Sequence, residues 1–327
     1  GNQPNITAFT GVGGVDINNI ELQNCHTVED FYALLVTEML QRISDQRNMY
    51  AVQKRSTGAS VRIDRWVPAN KKEIKSLFGL IIWMGLIKYP CITLFNWSMD
   101  PIYYHPFPHK VMSRNRFQIF LRMLHFANNE TADVTNRLWK IQPIIDELNE
   151  NFKQYYHPTE LICIDESMIP FRGRIIFRQY MKQKRHRCGI KIFKLSCGLG
   201  YTYSFRVYSG KTFDAMNTTP TNTVMNLCED IFHKGHTLCT DNCAITLSKD
   251  GITILKWREK RDVLLLSTKH SIEMETVRTN IKIVNKPKIV IDYNAGKKSI
   301  DLSDQMAAYN NPLQKSMKWY RKLSFEN

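Results

Sequence analysis

Two short apolar runs, each stopped by an aspartate, constrain this chain more than any other feature. Leu161-Ile162-Cys163-Ile164 is continuous and ends at Asp165, and the run from His236 to Thr240 ends at Asp241. An uninterrupted apolar run has no solvent face, which is the pattern of a central strand covered on both sides. An aspartate closing such a strand is held rigidly at the edge of the sheet. Two such strands side by side would bring two carboxylates together. Taken singly, a strand-end aspartate is often only a turn former or a helix cap, so the weight lies in the recurrence.

The surrounding pattern frames these runs. Residues before about 160 read as helical. Thr27 with Asp30 caps a helix to about Arg47, carrying Phe31, Leu34, Leu35, Met39 and Ile43 at helical spacing. Asn70 with Glu73 repeats the signal before a helix ending near Tyr89-Pro90. Ser113 opens a third with Phe117, Phe120, Leu121 and Leu124, and a fourth covers about Leu138 to Tyr156. After residue 160 the period shortens. Ile190 to Cys197 and Tyr201 to Tyr208 alternate as strands, joined at Gly198-Leu199-Gly200 as a hairpin. A helix follows from about Thr221 to Phe232. A second hairpin runs from Ile252 to Ser267, and Ile289-Val290-Ile291 leads into a helix holding Asp301 and Asp304.

The order strand, hairpin, helix, strand, helix, with acids at three set points, is the pattern of an RNase H-like nucleotidyl-transferase, an α/β mixed-sheet core beside a helical region. Phosphodiester chemistry of that kind uses two magnesium ions about 4 Å apart, one activating the attacking oxygen and one stabilising the leaving oxygen. Magnesium prefers carboxylates and water. Asp301 and Asp304 are three residues apart, share a helix face and are the candidates for closing the site.

Charge gives an independent lead. The 327 residues carry 45 lysines and arginines against 30 aspartates and glutamates, a formal net charge of +15. Solubility alone accounts for some of that excess, but its distribution is uneven. From Ser167 to Thr212 there is no acid, while Arg172, Arg174, Arg178, Lys182, Lys184, Arg185, Arg187, Lys191, Lys194, Arg206 and Lys211 fall in the same stretch. A solvated strand face usually mixes its signs. A one-signed strip beginning just after a candidate metal ligand fits phosphate binding, and Phe171, Phe177, Tyr180 and Phe193 interleave with it, so that some could stack on bases. A weaker cluster, Lys315, Lys318, Arg321 and Lys322 around Trp319, lies near the C-terminus. The eight cysteines are scattered with no Cys-x-x-Cys pair, so a zinc finger is not expected and a reducing compartment is. The sequence opens on no signal-peptide pattern, and the longest apolar stretch, Leu77 to Ile87, is too short for a bilayer.

These residues also carry a family resemblance. Ile164-Asp165-Glu166-Ser167-Met168 with Phe171-Arg172-Gly173-Arg174 resembles the first catalytic block of piggyBac-type transposases, whose fold is IS4-like. Gly189-Ile190-Lys191, Gly200-Tyr201-Thr202-Tyr203 and Val207-Tyr208-Ser209-Gly210-Lys211 continue it in order. Thr240-Asp241-Asn242 is similar to the second block, and Asp292-Tyr293-Asn294 followed by Asp301-Leu302-Ser303-Asp304-Gln305-Met306 to the third. Upstream, Phe78-Gly79-Leu80 and Ser113 to Phe117 match the helical region. The resemblance implies a DNA transposase with Asp165, Asp241, Asp301 and Asp304 as acidic ligands of two magnesium or manganese ions. It implies excision through DNA hairpins and integration at TTAA, a homodimer on double-stranded DNA, no membrane, and a nuclear location. Arg172 and Asn242 match positions that lie against the DNA; Arg174, Lys184, Arg185, Arg187, Lys191, Lys315 and Lys318 are the further DNA contacts expected from the two basic clusters.

The resemblance implies a domain plan: 1–158 a helical dimerisation and DNA-binding domain, 159–248 and 287–310 the two parts of the catalytic core, 249–286 the remnant of an insertion domain, and 311–327 a return to the helical domain. Departures are visible. Cys243 stands where the family has an aromatic residue. After Leu247 a helix and a core strand of the family pattern are absent, and the insertion hairpin resumes. A missing central strand would leave a long unpaired edge, so the sequence reads either as omitting a segment or as a decayed copy. The family's cysteine-rich C-terminal domain and its acidic N-terminal tail are missing from this sequence. Two further readings stay open: a catalytically inactive transposase-derived DNA-binding protein, favoured by the gap, and an unrelated RNase H-like nuclease.

Overall fold

The computed structural model describes residues 7–56, 66–87, 96–182, 184, 186–210, 220–240, 253–258, 262–267, 269–271, 273–278, 283–309 and 318–326. The chain divides into two compact units. One comprises 1–16, 152–167 and 192–305, and the other 17–151, 168–191 and 306–327.

In chain order the elements are β1 (Gly14–Val15), α1 (Ile20–Gln23), α2 (Val28–Ser56), α3 (Lys71–Leu86), α4 (Pro106–Val111), α5 (Arg114–Met123) and α6 (Gln142–Tyr155). Then come β2 (Tyr156–His157), β3 (Leu161–Pro170), β4 (Gln179–Tyr180), β5 (Cys188–Cys197), β6 (Tyr201–Val207), α7 (Pro220–Cys228) and β7 (Thr237–Thr240). The chain continues through β8 (Thr253–Arg258), β9 (Asp262–Ser267), β10 (Met274–Arg278), β11 (Ile283–Pro287), α8 (Lys288–Tyr309) and α9 (Trp319–Glu326). This is the mixed α/β architecture expected of the chain.

The helical unit is built on caps that the sequence announced. Thr27 Oγ1 and Asp30 Oδ2 exchange hydrogen bonds with each other's backbone amides ahead of α2, at 3.2 and 2.8 Å. Asn70 and Glu73 form a complete capping box on α3. Glu73 does a second job: its two oxygens receive Arg116 Nε and Nη2 of α5 at 3.0 and 2.9 Å. Asn48 of α2 pairs both backbone groups of Ala69 at 2.8 Å, fixing the entry to α3. The core between these helices is Leu40, Ile43, Ile74, Leu77, Leu80, Phe117, Phe120 and Leu124, all buried. Phe31, at the open end of α2, is exposed.

Within that core lies a fully buried cation. Arg47 has no measurable exposure, and its guanidinium sits 3.6 Å from the centroid of Phe120, with Arg116 at 4.1 Å from the same ring. Its three nitrogens make no hydrogen bond among the described residues. Burial first, then the nearby Arg116, pushes it down to about 8.

In the other unit a sheet in the order β5-β3-β7, with β6 on the far side of β5, is covered on both faces. One face packs against α7. Ile162 and Ile164 of β3 and Leu195 and Cys197 of β5 join Val224, Leu227 and Cys228. On the other, Cys163 and Cys239 meet Ile300 of α8, with Leu161 and Tyr293 beside them. The alternation along β3 sorts its residues between the two helices. The far ends of β3 and β5 run on into the helical unit, where β4 pairs with Gly189 and Cys188. The buried thiols Cys197 and Cys239 are free and burial pushes each up to about 11, which keeps them in the unreactive thiol form.

The hairpin β8–β9 forms as expected, with Thr253 opposite Ser267. It packs through Leu265 on Ile289 and Val290 in the first turn of α8. Those two residues, expected to lead into the helix, are already inside it. A further antiparallel pair, β10–β11, was not anticipated; its residues are mostly exposed, the apolar Met274 and Ile283 among them. No described helix is long and apolar enough to cross a membrane.

Close approach of α8 to the sheet depends on Gly296. A Cβ there would stand 2.9 Å from Cys239 Sγ and 3.2 Å from its Cβ. Gly296→Val is expected to destabilise the chain by about 1–3 kcal/mol through overpacking, measured by urea denaturation followed by far-UV circular dichroism.

Candidate active site

The site begins with a pairing. β3 and β7 run parallel with Leu161 opposite Thr237, Ile162 opposite Leu238, Cys163 opposite Cys239 and Ile164 opposite Thr240. The register brings Ile164 and Thr240 level, and the next residue in each segment is an aspartate. Asp165 is half-buried, and its Oδ1 accepts the Glu166 amide at 2.7 Å. It shares the parity of Cys163 and Ser167, the two residues flanking it that contact α8. Asp165 therefore belongs to the α8 face of the sheet. Asp241 and Asn242 lie outside the described residues, as do Arg185 and Lys315.

The strand does not end at Asp165, as the apolar run suggested. β3 continues to Pro170 because β5 remains its partner. Ile169 O and Gly189 come so close that a Cβ on Gly189 would lie 2.0 Å from that oxygen. What ends at Ile164, among the described residues, is the pairing with β7.

α8 carries the other two acids, and they differ. Asp304 is half-buried. Its Oδ1 accepts the Ser167 hydroxyl at 2.5 Å and the Lys194 ammonium at 3.2 Å. Lys194, on β5, is itself only 6% exposed. Asp301, one turn earlier, is exposed. Close packing at the hairpin holds this part of α8 in place. Gly200 has φ +93, and its Cα hydrogen position faces Ser299 O and Ser303 N, each 3.2 Å from a built Cβ. Thr202 and Ser303 hydroxyls meet at 3.1 Å.

Among the described residues no three of His, Cys, Asp and Glu are grouped as a metal cluster. Asp165 and Asp301 offer the hard carboxylate oxygens that a divalent cation takes. Asp304 Oδ1 is already engaged by a cation and a hydroxyl.

The basic strip divides. Arg172, Arg174, Arg178, Lys182 and Arg187 are exposed, and Lys184, Lys191 and Arg206 are half-buried. The Arg178 guanidinium turns back to the carbonyls of Arg172 and Gly173 at 3.2 Å. Lys194 is not on the surface at all. Phe171 and Phe177 are buried rather than free to stack on bases; Phe177 meets Trp319 edge-on at 5.2 Å. Phe193 packs against the α7 side of the sheet, leaving Tyr180 exposed.

A second basic group escaped the sequence reading. Lys318, expected only as part of a C-terminal cluster, shares its surroundings with Arg321, Lys140, Arg122 and Lys54. Arg321 belongs to the C-terminal cluster read from the sequence; Lys54, Arg122 and Lys140 come from separate segments, and no local run signals their convergence on it. Arg321 Nη2 donates to Arg122 O at 2.8 Å, and Lys140 lies 5.1 and 5.6 Å from the Trp139 and Tyr320 rings. Partial desolvation first, then these like charges, hold the Lys318 ammonium down at about 8. His125, stacked on Tyr50 at 4.2 Å, is pushed by burial to about 4 and adds no charge at neutral pH.

Comparison with known proteins decides the ancestry. The DDE-type family model described as Transposase IS4 matches residues 27–249 and 244–326. The chain belongs to this transposase family. Among its relatives are human piggyBac transposable element-derived protein 2, 27% identical over 197 residues (60% of this chain, 32% of that protein). Human piggyBac transposable element-derived protein 3 is 27% identical over 184 residues, 56% of this chain and 31% of its own length. The chain spans about a third of the length of these curated relatives. A piggyBac transposase, solved by cryo-EM as a synaptic complex with hairpin DNA, shares the fold at a TM-score of 0.72 and 20% identity, over 96% of this chain and 74% of that one. The piggyBac-type resemblance read from the motif blocks is thus borne out. The family match breaks at residues 244–249, the same place where the sequence departs from the family pattern.

The crowded cations give a pH prediction. A lysine depressed in the fold binds fewer protons than in the unfolded chain, where its value is about 10.4, so stability rises with pH between about 8 and 10. Lys318→Met should therefore melt higher than the wild type at pH 7. The gain should shrink as pH rises through 8 and be gone near 10, as read by thermal denaturation across that range.

Proposed function

We propose that this chain is the core of a piggyBac-type transposase that cleaves double-stranded DNA and transfers strands at TTAA sites. The observation that carries the reading is the in-register parallel pairing of β3 and β7, which ends level at Ile164 and Thr240 with an aspartate next in each segment and α8 over the same face. In this reading Asp165, Asp241 and Asp301 hold two divalent ions, magnesium or manganese. Such ions, when bound, activate an attacking oxygen and stabilise a leaving one.

The chain's own residues do the rest. The exposed Arg172, Arg174 and Arg187, together with Lys184 and Lys191, are proposed to bind the DNA backbone; Arg185, Asn242 and Lys315 are proposed to join them. Arginine forks suit phosphate because they bind two oxygens at once. Lys54, Arg122, Lys140, Lys318 and Arg321 form a second phosphate-binding surface. A phosphate there would relieve mutual repulsion among the cations, so binding energy is gained from strain already present. Cleavage at both transposon ends is proposed to need a homodimer, and access to chromosomal DNA a nuclear location. The proposed assignment of parts follows the domain plan: helical DNA-binding and dimerisation segments at 1–158 and 311–327, and core segments at 159–248 and 287–310 around the hairpin remnant.

A second reading, a DNA-binding protein of the same ancestry without cleavage activity, is favoured by the break in the family match at 244–249. One experiment separates the two. Incubation of the chain with TTAA-flanked transposon-end DNA and magnesium should yield nicked and hairpin products. Asp165→Asn should abolish them, a loss of at least about a thousandfold, the scale on which removing one transition-state-stabilising group acts, while DNA affinity stays within about twofold. Products that persist in Asp165→Asn would overturn the site assignment. No product from the wild type, with DNA binding intact, would favour the second reading.

A further inference from the structure

Lys194 is a buried cation placed where a metal ligand should have a free oxygen. On β5, Leu195 and Cys197 point into the α7 cluster, so the alternate positions Ile192, Lys194 and Ser196 face the other way. The lysine chain is 6% exposed and ends 3.2 Å from Asp304 Oδ1. That same oxygen accepts the Ser167 hydroxyl at 2.5 Å. Ser167 follows Asp165 by two residues on the same strand face. A single carboxylate oxygen thus ties α8 to both β3 and β5. A buried lysine is costly unless its charge is answered, and Asp304 answers it. A divalent ion at Asp304 would have to sit within a few ångströms of an ammonium that cannot withdraw into solvent.

We propose that Lys194 acts as a built-in cation at Asp304, so that Asp304 is a positioning residue that pins α8 and the divalent ions are left to Asp165, Asp241 and Asp301. This assignment rests on reading the residues next after the Ile164–Thr240 pair of β3 and β7 as the ion site. It removes Asp304 from the ligand set implied by the motif resemblance and gives Ser167 and Lys194 a role in holding Asp301 one turn away.

Manganese binding to the full chain, followed by the electron paramagnetic resonance of free Mn2+, tests it without recourse to activity. Asp165→Asn should weaken Mn2+ binding at least about tenfold, whereas Asp304→Asn, whose amide oxygen can still accept from Ser167 and Lys194 and so keep α8 pinned, should leave it within about twofold. Lys194→Met should strengthen binding about tenfold or more, or add a site, because Asp304 is freed and a repelling charge is gone. Lys194→Met/Asp304→Asn should return to wild-type affinity, and Lys194→Arg should match the wild type throughout. Asp304→Asn weakening Mn2+ as much as Asp165→Asn overturns the proposal, as does a folded Lys194→Met with unchanged binding. If Lys194→Met does not fold, the comparison of Asp304→Asn with Asp165→Asn carries the test alone. Wild-type affinity in Asp165→Asn would instead overturn the reading of the ion site, and the assignment of Lys194 with it.

Discussion

The parallel pairing of β3 with β7 is the constraint on which the rest of the sheet-bearing unit depends. Four residue pairs set the register. A slip of one residue would exchange every side chain between the two faces. Ile162 and Ile164 would leave the α7 cluster, and Cys163 would lose its place under Ile300. The aspartate at 165 would turn away from α8 in the same movement. Core packing and active-site geometry are therefore set by one register. Both helices that cover the sheet make it expensive to change: α7 through Val224, Leu227 and Cys228, and α8 through Ile300 and the close approach at Gly296.

Much of this was legible in the residues. The caps at Thr27 and Asn70, the hairpin at Gly198 to Gly200 and the two aspartate-ended runs all rest on local chemistry, and local chemistry is what a sequence displays. The extension of β3 beyond Asp165 was not legible, because the polar stretch Asp165-Glu166-Ser167 carries no apolar run and owes its strand form to β5. The pair β10–β11 was hidden because its mostly exposed strands mix apolar and polar residues without a clean alternation in sequence. The convergence of Lys54, Arg122 and Lys140 on Lys318 and Arg321 is a tertiary fact with no period to betray it. Lys194 was visible only as one more charge in a basic strip. Its burial follows from the alternation of β5, once the helix on each face is known.

The net charge of +15 thus divides into parts of different physical kind. Exposed arginines after Asp165 are free to meet an anion. The Lys318 group is crowded and stores repulsion that an anion could release. Lys194 and Arg47 are internal and are answered by a carboxylate and by aromatic rings respectively. Counting charges cannot separate these, and only the first two kinds contribute to a field felt outside the protein.

The two guanidiniums on Phe120 tie distant positions into one unit of inheritance. Arg47 and Arg116 come to 3.6 and 4.1 Å from the same ring centroid, on helices far apart in sequence. An aliphatic side chain in place of that ring would withdraw attraction from both cations and leave their mutual repulsion in place. Loss of Arg47, by contrast, would leave Arg116 with Glu73 to answer its charge, whereas loss of Arg116 would leave Arg47 still dependent on the ring. Drift at residues 47, 116 and 120 should consequently be correlated, with the arginine at 47 giving way before the aromatic at 120 does.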